Sequence, residues 1–396
     1  MTTIKNLLSM AKRILLSSIA CLAFSITISA QGTQPEAGRY ISKTFKVCPF
    51  NVDGLPKKFG LINVNPDGKG ADGAKAIGQY INQSDIDFWG LSEDFNYHND
   101  LANEITDGKY QIGTYRGGIN LKQFKLNMQF NTDGLNFLSK TPYSFSDESW
   151  VKWNKCNGWA NHGNDEMIRK GYRHYHANLG DDIEIDFYIM HMDADTDDKD
   201  NEARADQWKQ LYNAIVANTN GRPIIVMGDT NCRYTRDDLR GLFIDPINQA
   251  GKYEVKDAWI EHCKNGIYPT LGSDALMVDQ LGYKEGEIVD KVLYLNPTVG
   301  DCHIKALNFN VDSEFTVSDH RPVIVTMEVM SKFTTTGIEN ANTSSLLDKK
   351  TSASKSSGIY DASSRQLTQM VKGLNIIKMS DGSVKKIIKN ESKEIH

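Results

Sequence analysis

Eight residues, Ile224-Ile225-Val226-Met227-Gly228-Asp229-Thr230-Asn231, constrain this chain more than any other stretch. Four consecutive apolar residues, mostly β-branched and bounded upstream by Gly221 and Pro223, predict a strand covered on both faces. Gly228 then lets the backbone bend, so that Asp229 and Asn231 leave the strand at its carboxyl end, where packed sheets present ligands. A carboxylate and an amide two residues apart offer an acceptor for a water proton and a donor for an anionic oxygen. Such a pair suits hydrolysis of a phosphate ester. Taken alone, Gly-Asp-x-Asn is more often a capped strand end with a polar turn, so the rest of the chain has to decide.

Around that strand the chain has room for a large core. Its 396 residues are 40% hydrophobic and 24% charged, the composition of a soluble globular protein. The first thirty stand apart. Lys5, Lys12 and Arg13 precede an apolar run from Ile14 to Ala30 that ends in Ile28-Ser29-Ala30-Gln31, the pattern of a cleaved signal peptide over 1–30. The run is short and serine-bearing for a membrane anchor, and Ser18-Ile19-Ala20-Cys21 fits a lipidation site poorly. The mature chain is therefore expected to carry no transmembrane segment and to be secreted, periplasmic or at the cell surface, as a monomer.

With 45 basic and 50 acidic residues the whole chain is mildly acidic, but the charge is unevenly spread. The span 31–335 holds 32 basic groups against 44 acidic ones. Such a body gains nothing from the counterion release that drives nucleic-acid binding, which makes nucleic acid the less favoured partner. Acidic nucleases working through a bound cation remain in play. Five cysteines outlast cleavage (Cys48, Cys156, Cys232, Cys263 and Cys302); export permits disulfides, and no Cys-x-x-Cys suggests a zinc ribbon.

From Ile41 to Met330, strand and helix signals alternate without a linker. Phe45 to Val52 reads as a strand; Ala74, Ile77, Tyr80 and Ile81 make a helical stripe; Ile86 to Leu91 is a short apolar run. Ile183, Ile185, Phe187 and Ile189 alternate with Glu184, Asp186 and Tyr188, as in a half-buried strand. A helix carrying Ala203, Trp208, Leu211 and Ile215 leads to the opening strand, and Pro322 to Met330 closes the set. The expected fold is α/β: two packed mixed β-sheets flanked by helices in one domain, 41–332. Residues 333–357 are rich in Ser, Thr, Asn and Lys and read as a flexible linker. A small β-rich tail, 358–396, follows, with Asp381-Gly382 as a hairpin turn. It resembles the C-terminal sorting modules of exported Bacteroidetes proteins in its Gly358-Ile359-Tyr360 and Gly373-Leu374-Asn375-Ile376-Ile377 strands.

Polar residues recur at the ends of these strands. Asn51 follows Phe45 to Phe50, Glu93 follows Phe88 to Leu91, and His191 and Asp193 follow Ile183 to Met190. Asp290 sits in Val289-Asp290-Lys291-Val292-Leu293-Tyr294, and Ser318-Asp319-His320 precedes the last strand. Each alone is a weak signal, because strand ends are polar anyway and a lone histidine there is usually just hydrogen-bonded. Their order, however, resembles the endonuclease/exonuclease/phosphatase superfamily, the deoxyribonuclease I-like phosphoesterases, over roughly 45–330. Exported members related to neutral sphingomyelinases and inositol-phosphosphingolipid phospholipases are closer still. Asn51 through Pro56, Glu93 through His98, Gly134-Leu135-Asn136, Arg169-Lys170-Gly171, His191 through Ala194 with Ala203-Arg204, Gly228 through Tyr234 and Val289 through Tyr294 carry the likeness. Ser92 departs from it, standing where the superfamily often has Gln.

The resemblance implies a four-layer α/β sandwich and a Mg²⁺-dependent phosphodiesterase, with Mn²⁺ or Ca²⁺ as alternative ions. It makes Glu93 the carboxylate that anchors the metal, with Asn51 beside it and Asp319 helping to hold a cation. His191 and Asn231 donate to the transition-state oxygens, Asp229 orients the attacking water, His320 takes its proton and Asp290 fixes the His320 tautomer. The substrate implied is a phosphodiester, a sphingolipid or phospholipid headgroup at a membrane surface. A nuclease and an inositol-phosphate phosphatase of the same fold are the alternatives; a non-catalytic binding module would lack Glu93 or His320, and both are present.

Three other features are weighed and set aside. Gly68-Lys69-Gly70-Ala71-Asp72-Gly73 fits G-x-G-x-x-G, but no buried strand runs directly into it, so it reads as a mobile loop. Asp193-Ala194-Asp195-Thr196-Asp197 starts like an EF-hand, yet Asp198 and Arg204 stand where Gly and Glu are needed; a casual Ca²⁺ site is all it allows. Trp150, Trp153 and Trp159 read as core packing in preference to an interface.

Overall fold

The computed structural model describes residues 40–122, 124, 129–159, 162–218, 220–274 and 286–332, and the segments 338–340, 356–361, 366–367, 373–379 and 384–389. The signal-peptide reading of 1–30 and the Asp381-Gly382 turn lie outside them. Among the described residues no helix is long and apolar enough to cross a membrane.

Tyr40–Lys332 forms one compact unit. Its elements are β1 (Tyr40–Asn51), β2 (Lys58–Phe59), β3 (Ile62–Asn63), α1 (Gly70–Gln83), β4 (Phe88–Ser92), α2 (His98–Ala102), β5 (Tyr110–Ile112), β6 (Asn136–Lys140), β7 (Ser144–Lys152), β8 (Gly171–Asn178) and β9 (Glu184–His191). There follow α3 (Asp198–Ala217), β10 (Ile224–Asp229), α4 (Asp245–Ala250), β11 (Tyr253–Asp257), α5 (Ala258–Cys263), β12 (Asp290–Pro297), β13 (Cys302–Val311) and β14 (Val323–Lys332). Two six-stranded mixed sheets result, ordered β13-β14-β1-β4-β6-β5 and β11-β12-β10-β9-β8-β7. Each has a parallel pair inside an otherwise antiparallel set, β1 with β4 and β9 with β10.

The expected α/β sandwich is the observed fold. Period-two alternation along β1 explains the layering. Phe45 and Val47 join the main core, where Phe88 and Phe137 of the first sheet meet Phe187 of the second at ring separations of 4.9 and 5.0 Å. Cys48 and Phe50 instead join Trp89 and Leu91 beneath Ala74, Ile77 and Ile81 of α1. On the second sheet, Trp208, Leu211 and Ile215 of α3 enter the core, with Trp208 5.0 Å from Phe243.

Three local readings change. β9 is buried along nearly its whole length, not on one face only. Asp186 and Tyr188 are covered because Asn218, at the end of α3, donates to Asp186 (2.8 Å), while His176 closes on the same carboxylate (3.3 Å). β10 runs on through Gly228 to Asp229, so Asp229 is its last paired residue, not one that has left the strand. Gly228 is required for closeness rather than for a bend: its φ is 147° and a Cβ there would lie 2.0 Å from the Met190 carbonyl oxygen. Finally, Gly70 to Gly73 form the first turn of α1, not a loop. Only the two-residue strands of the β2–β3 hairpin precede them, so no strand of either large sheet runs into the glycine pattern.

Described by itself, the C-terminal part forms a five-stranded sheet ordered β15-β19-β18-β16-β17. Its strands are β15 (Ile338–Asn340), β16 (Ser356–Asp361), β17 (Gln366–Leu367), β18 (Gly373–Met379) and β19 (Val384–Lys389). Ile338–Asn340, inside the span read as linker, pairs in parallel with β19. The five cysteines Cys48, Cys156, Cys232, Cys263 and Cys302 are free thiols.

Candidate active site

The parallel pairs of the two sheets deliver their polar ends to one place. Asn51 lies opposite Ser92, one residue before Glu93. Across the second sheet, Asp290, Asp229 and His191 form a single rung, Asp229 being paired with Asp290 on one side and His191 on the other. Asn51 ties the two sheets together: its Nδ2 donates to Glu93 Oε1 (3.0 Å) and to Asp229 Oδ2 (3.1 Å). Its amide oxygen accepts the Asp53 N–H (3.0 Å), so toward the carboxylates Asn51 acts as a donor.

Two imidazoles close on the same aspartate. His191 Nε2 lies 3.5 Å from Asp229 Oδ2 and 4.0 Å from Glu93 Oε1; His320 Nε2 lies 3.6 Å from Asp229 Oδ2. His320 Nδ1 is 2.6 Å from Asp290 Oδ2, a short charge-assisted bond. Ser318 Oγ donates to the Asn51 carbonyl (2.7 Å) and accepts the His320 N–H (3.1 Å), which fixes the loop that carries Asp319 and His320. Asn231 turns its Nδ2 to the Met192 carbonyl (3.2 Å), while its N–H donates to Asp229 Oδ1 (3.0 Å). Glu93, Asp53 and Asn231 all hold φ near +50°, a left-handed backbone gathered around one cleft. Every candidate residue named from the sequence thus lies in or beside this cleft; Asp319 is exposed at its edge.

Burial and neighbouring charge set the protonation states. Burial, then the Lys170 ammonium, push the His191 imidazole down to about 3, against the pull of Asp229. His191 is therefore neutral. Among the described residues its buried Nδ1 has no hydrogen-bond partner, so the ring proton belongs on Nε2, which faces the cleft. At His320, burial works to lower the value, but Asp290 and Asp229 outweigh it and hold the imidazole well above its ordinary range. Burial raises Asp229 as well, and His320, His191 and the Asn51 bond together bring it below the ordinary carboxylate value. Half-buried Glu93 is pushed up to about 7, chiefly by burial, with Lys170 opposing and Asp319 adding to the rise.

Lys170 is the residue whose part the sequence left unread. It is buried and ion-paired with Asp165, and it donates to the Met192 carbonyl (3.2 Å). Arg169-Lys170-Gly171 marked the place, but nothing in a string of residues says that the ammonium points inward. Asp193 is structural: Gln207 (2.7 Å) and the Asn157 N–H (2.6 Å) bind its carboxylate. The EF-hand likeness dissolves at Arg204, whose Nη1 donates to the carbonyls of Asp193, Ala194 and Asp195 at 2.9, 3.1 and 2.9 Å. A guanidinium takes those backbone oxygens. Of the three tryptophans, Trp153 is core and donates to the His191 carbonyl (2.7 Å), whereas Trp159 is half exposed.

A profile of the endonuclease/exonuclease/phosphatase family matches residues 50–320. The chain belongs to that family. Its members are hydrolases, and the matched span runs from one residue before Asn51 to His320, the whole of the cleft. The sphingomyelinase of Mycobacterium tuberculosis is 27% identical over 294 residues, covering 72% of this chain and 53% of that protein, and the Mycobacterium bovis sphingomyelinase matches equally. The chain spans about half the length of these curated relatives. Among solved structures, sphingomyelinase C from Streptomyces griseocarneus is 16% identical with a TM-score of 0.45, covering 72% of this chain and 99% of that one.

The donor set suits a hard divalent cation. Glu93 and Asp319 would supply oxygen ligands, and Glu93 is pushed up chiefly by burial, with the negative charge of Asp319 and Asp229 adding to the rise. Asp229, Asp290 and His320 also present atoms within 4.8 Å of one another. A cation at that second spot would have to displace the 2.6 Å bond between Asp290 and His320, which leaves the Glu93 end of the cleft as the better candidate. A separate group, His162 with Asp197 and Asp200, serves the start of α3, where Asp200 accepts the Asp197 N–H (2.8 Å).

Proposed function

We propose that the chain is an exported Mg²⁺-dependent phosphodiesterase that releases the phosphorylated headgroup of a sphingolipid. The observation that carries it is the rung Asp290–Asp229–His191 facing Glu93 across the Asn51 bridge, with His320 bonded to Asp290. The likeness to mycobacterial sphingomyelinases and the acidic body favour a lipid headgroup over nucleic acid.

Glu93 and Asp319 would hold Mg²⁺, which would neutralise the charge that grows on the phosphoryl oxygens. The chain's own groups do the rest. Asn51 and Asp229 orient the attacking water. His320, in the neutral form that positive charge at the Glu93 end of the cleft would favour, accepts its proton at Nε2, and Asp290 and Asp229 stabilise the imidazolium that this leaves. Neutral His191 donates from Nε2 to a phosphoryl oxygen, which an imidazole kept near a value of 3 does without titrating. Asn231 gives a further N–H at the same face once substrate displaces the Met192 carbonyl from its amide. Purified protein with Mg²⁺ should release phosphocholine from sphingomyelin micelles and leave single-stranded DNA and inositol phosphates intact. Degradation of DNA, or liberation of inorganic phosphate, without phosphocholine release overturns the lipid reading.

A further inference from the structure

A third, small apolar cluster stands apart from the two cores of the sandwich. Phe95, Ile119, Phe130 and Ile168 form it, with Leu55, Phe59 and Phe124 packed against them. It starts two residues after Glu93 and runs outward into two loops. One is the β2–β3 hairpin, where Phe59 pairs with Ile62 across Gly60 and Leu61. The other follows Ile119. Phe130 joins them, 5.2 Å from Phe59 and 5.0 Å from Phe124.

Both loops are fastened to the backbone beside Glu93. Gly54 donates to the Glu93 carbonyl (3.0 Å), and a Cβ on Gly54 would lie 2.3 Å from that oxygen, so the hairpin's stem cannot stand further off. Asn96 accepts the Ile119 N–H (2.8 Å) and donates to the Ile119 carbonyl (3.2 Å). On these loops, Leu61 is 101% exposed and Leu121 78% exposed, the first and third highest values among the described large apolar residues. Lys57, Lys58 and Lys122 are exposed beside them, on a body that is otherwise acidic.

We propose that Leu61 and Leu121, with Lys57, Lys58 and Lys122, form a lip that enters the surface of a lipid bilayer and holds the Glu93 cleft against it. This rests on the lipid reading above. Single leucines on turn tips offer far less than the roughly 800 Å² per partner that a stable protein interface buries. They do fit a soft surface, where apolar tips sink between headgroups and flanking ammonium groups meet lipid phosphates. The aromatic cluster behind them keeps the two tips fixed relative to Glu93, so docking and presentation of a headgroup phosphate become one event.

The test is co-sedimentation of the full chain with vesicles of about four parts phosphatidylcholine to one part phosphatidylserine, without sphingomyelin and with chelator present. Leu61→Ser/Leu121→Ser should weaken binding by about tenfold or more, and Lys57→Glu/Lys58→Glu should weaken it at low salt. Val299→Ser is the control: Val299 is 86% exposed, but it follows Pro297, at the end of β12 away from Asp290. Thermal unfolding verifies that each variant folds. No binding by the unaltered chain overturns the proposal, as does equal binding by the double-leucine variant or an equal loss in Val299→Ser. Vesicle binding that depends on the leucines, in a chain that hydrolyses no lipid, retains the docking surface and rejects the lipid phosphodiesterase reading instead.

Discussion

His191 and His320 approach one atom, Oδ2 of Asp229, at 3.5 and 3.6 Å, and their surroundings drive them in opposite directions. His191 is neutral and can only donate; His320 stands beside two carboxylates that stabilise the protonated form it reaches on taking up a proton. An amide can replace the first role but not the second. On a soluble diester, His191→Ala should lose about 10²–10³ in kcat and His191→Gln distinctly less. His320→Ala and His320→Gln should both lose about 10²–10⁴. Equal losses for the two His191 variants, or rescue of His320 by Gln, would contradict this division.

Gly228 is the narrowest point of the second sheet. With φ of 147° and the Met190 carbonyl 2.0 Å from any added Cβ, Gly228→Ala has to push β9 and β10 apart. We expect a loss of about 2–4 kcal/mol in urea unfolding, within the range of strained or overpacked substitutions. A change below about 0.5 kcal/mol would show that the strands separate freely.

How far the site could be read from the sequence follows from what each residue needs. Asn51, Glu93, His191, Asp229, Asp290 and His320 were visible because each ends or adjoins an apolar run, and local pattern suffices for that. Which of them touch was not visible. Pairing of Asp229 with Asp290 and His191 depends on register between strands far apart in the chain, and no local signal sets it. Lys170 was missed for a related reason: its burial is created by Asp165 and the Met192 carbonyl, partners supplied by folding. The half-buried reading of β9 failed because Asn218 and two histidines cover its polar face, an override of periodicity by tertiary packing.

Asp186 gives a test on stability alone. Burial would raise its carboxyl, but bonds from His174 and Asn218 outweigh that and hold it below the ordinary value. A depressed folded value means the charged form stabilises the fold above the unfolded value, near 4, and that this is lost as pH falls through the lower folded value. Asp186→Asn should therefore lower stability by about 1–3 kcal/mol at pH 7, with the gap narrowing below about pH 4. Thermal unfolding across pH 3–7 measures it; a gap independent of pH would assign the loss to packing.

Arg173 is fully buried, bonded to both oxygens of Asp133 at 2.7 Å and to Glu148 at 2.7 Å. Removing it alone leaves buried Asp133 with only the more distant Arg116 guanidinium, at 3.7 Å, to offset its charge. Arg173→Met should cost about 3–5 kcal/mol, and adding Asp133→Asn should recover part of it. Additive losses in the double variant would show that the two residues do not act as a pair.

We propose that hydrolysis runs through a cation held at Glu93. The direct measurement is diester turnover in excess chelator, then after Mg²⁺ is restored, for the unaltered chain and for Glu93→Gln. Activity should vanish in chelator, return with Mg²⁺, and stay more than about 100-fold lower in Glu93→Gln at every Mg²⁺ concentration. Full turnover in chelator, or Glu93→Gln restored by Mg²⁺ to the unaltered rate, would contradict it.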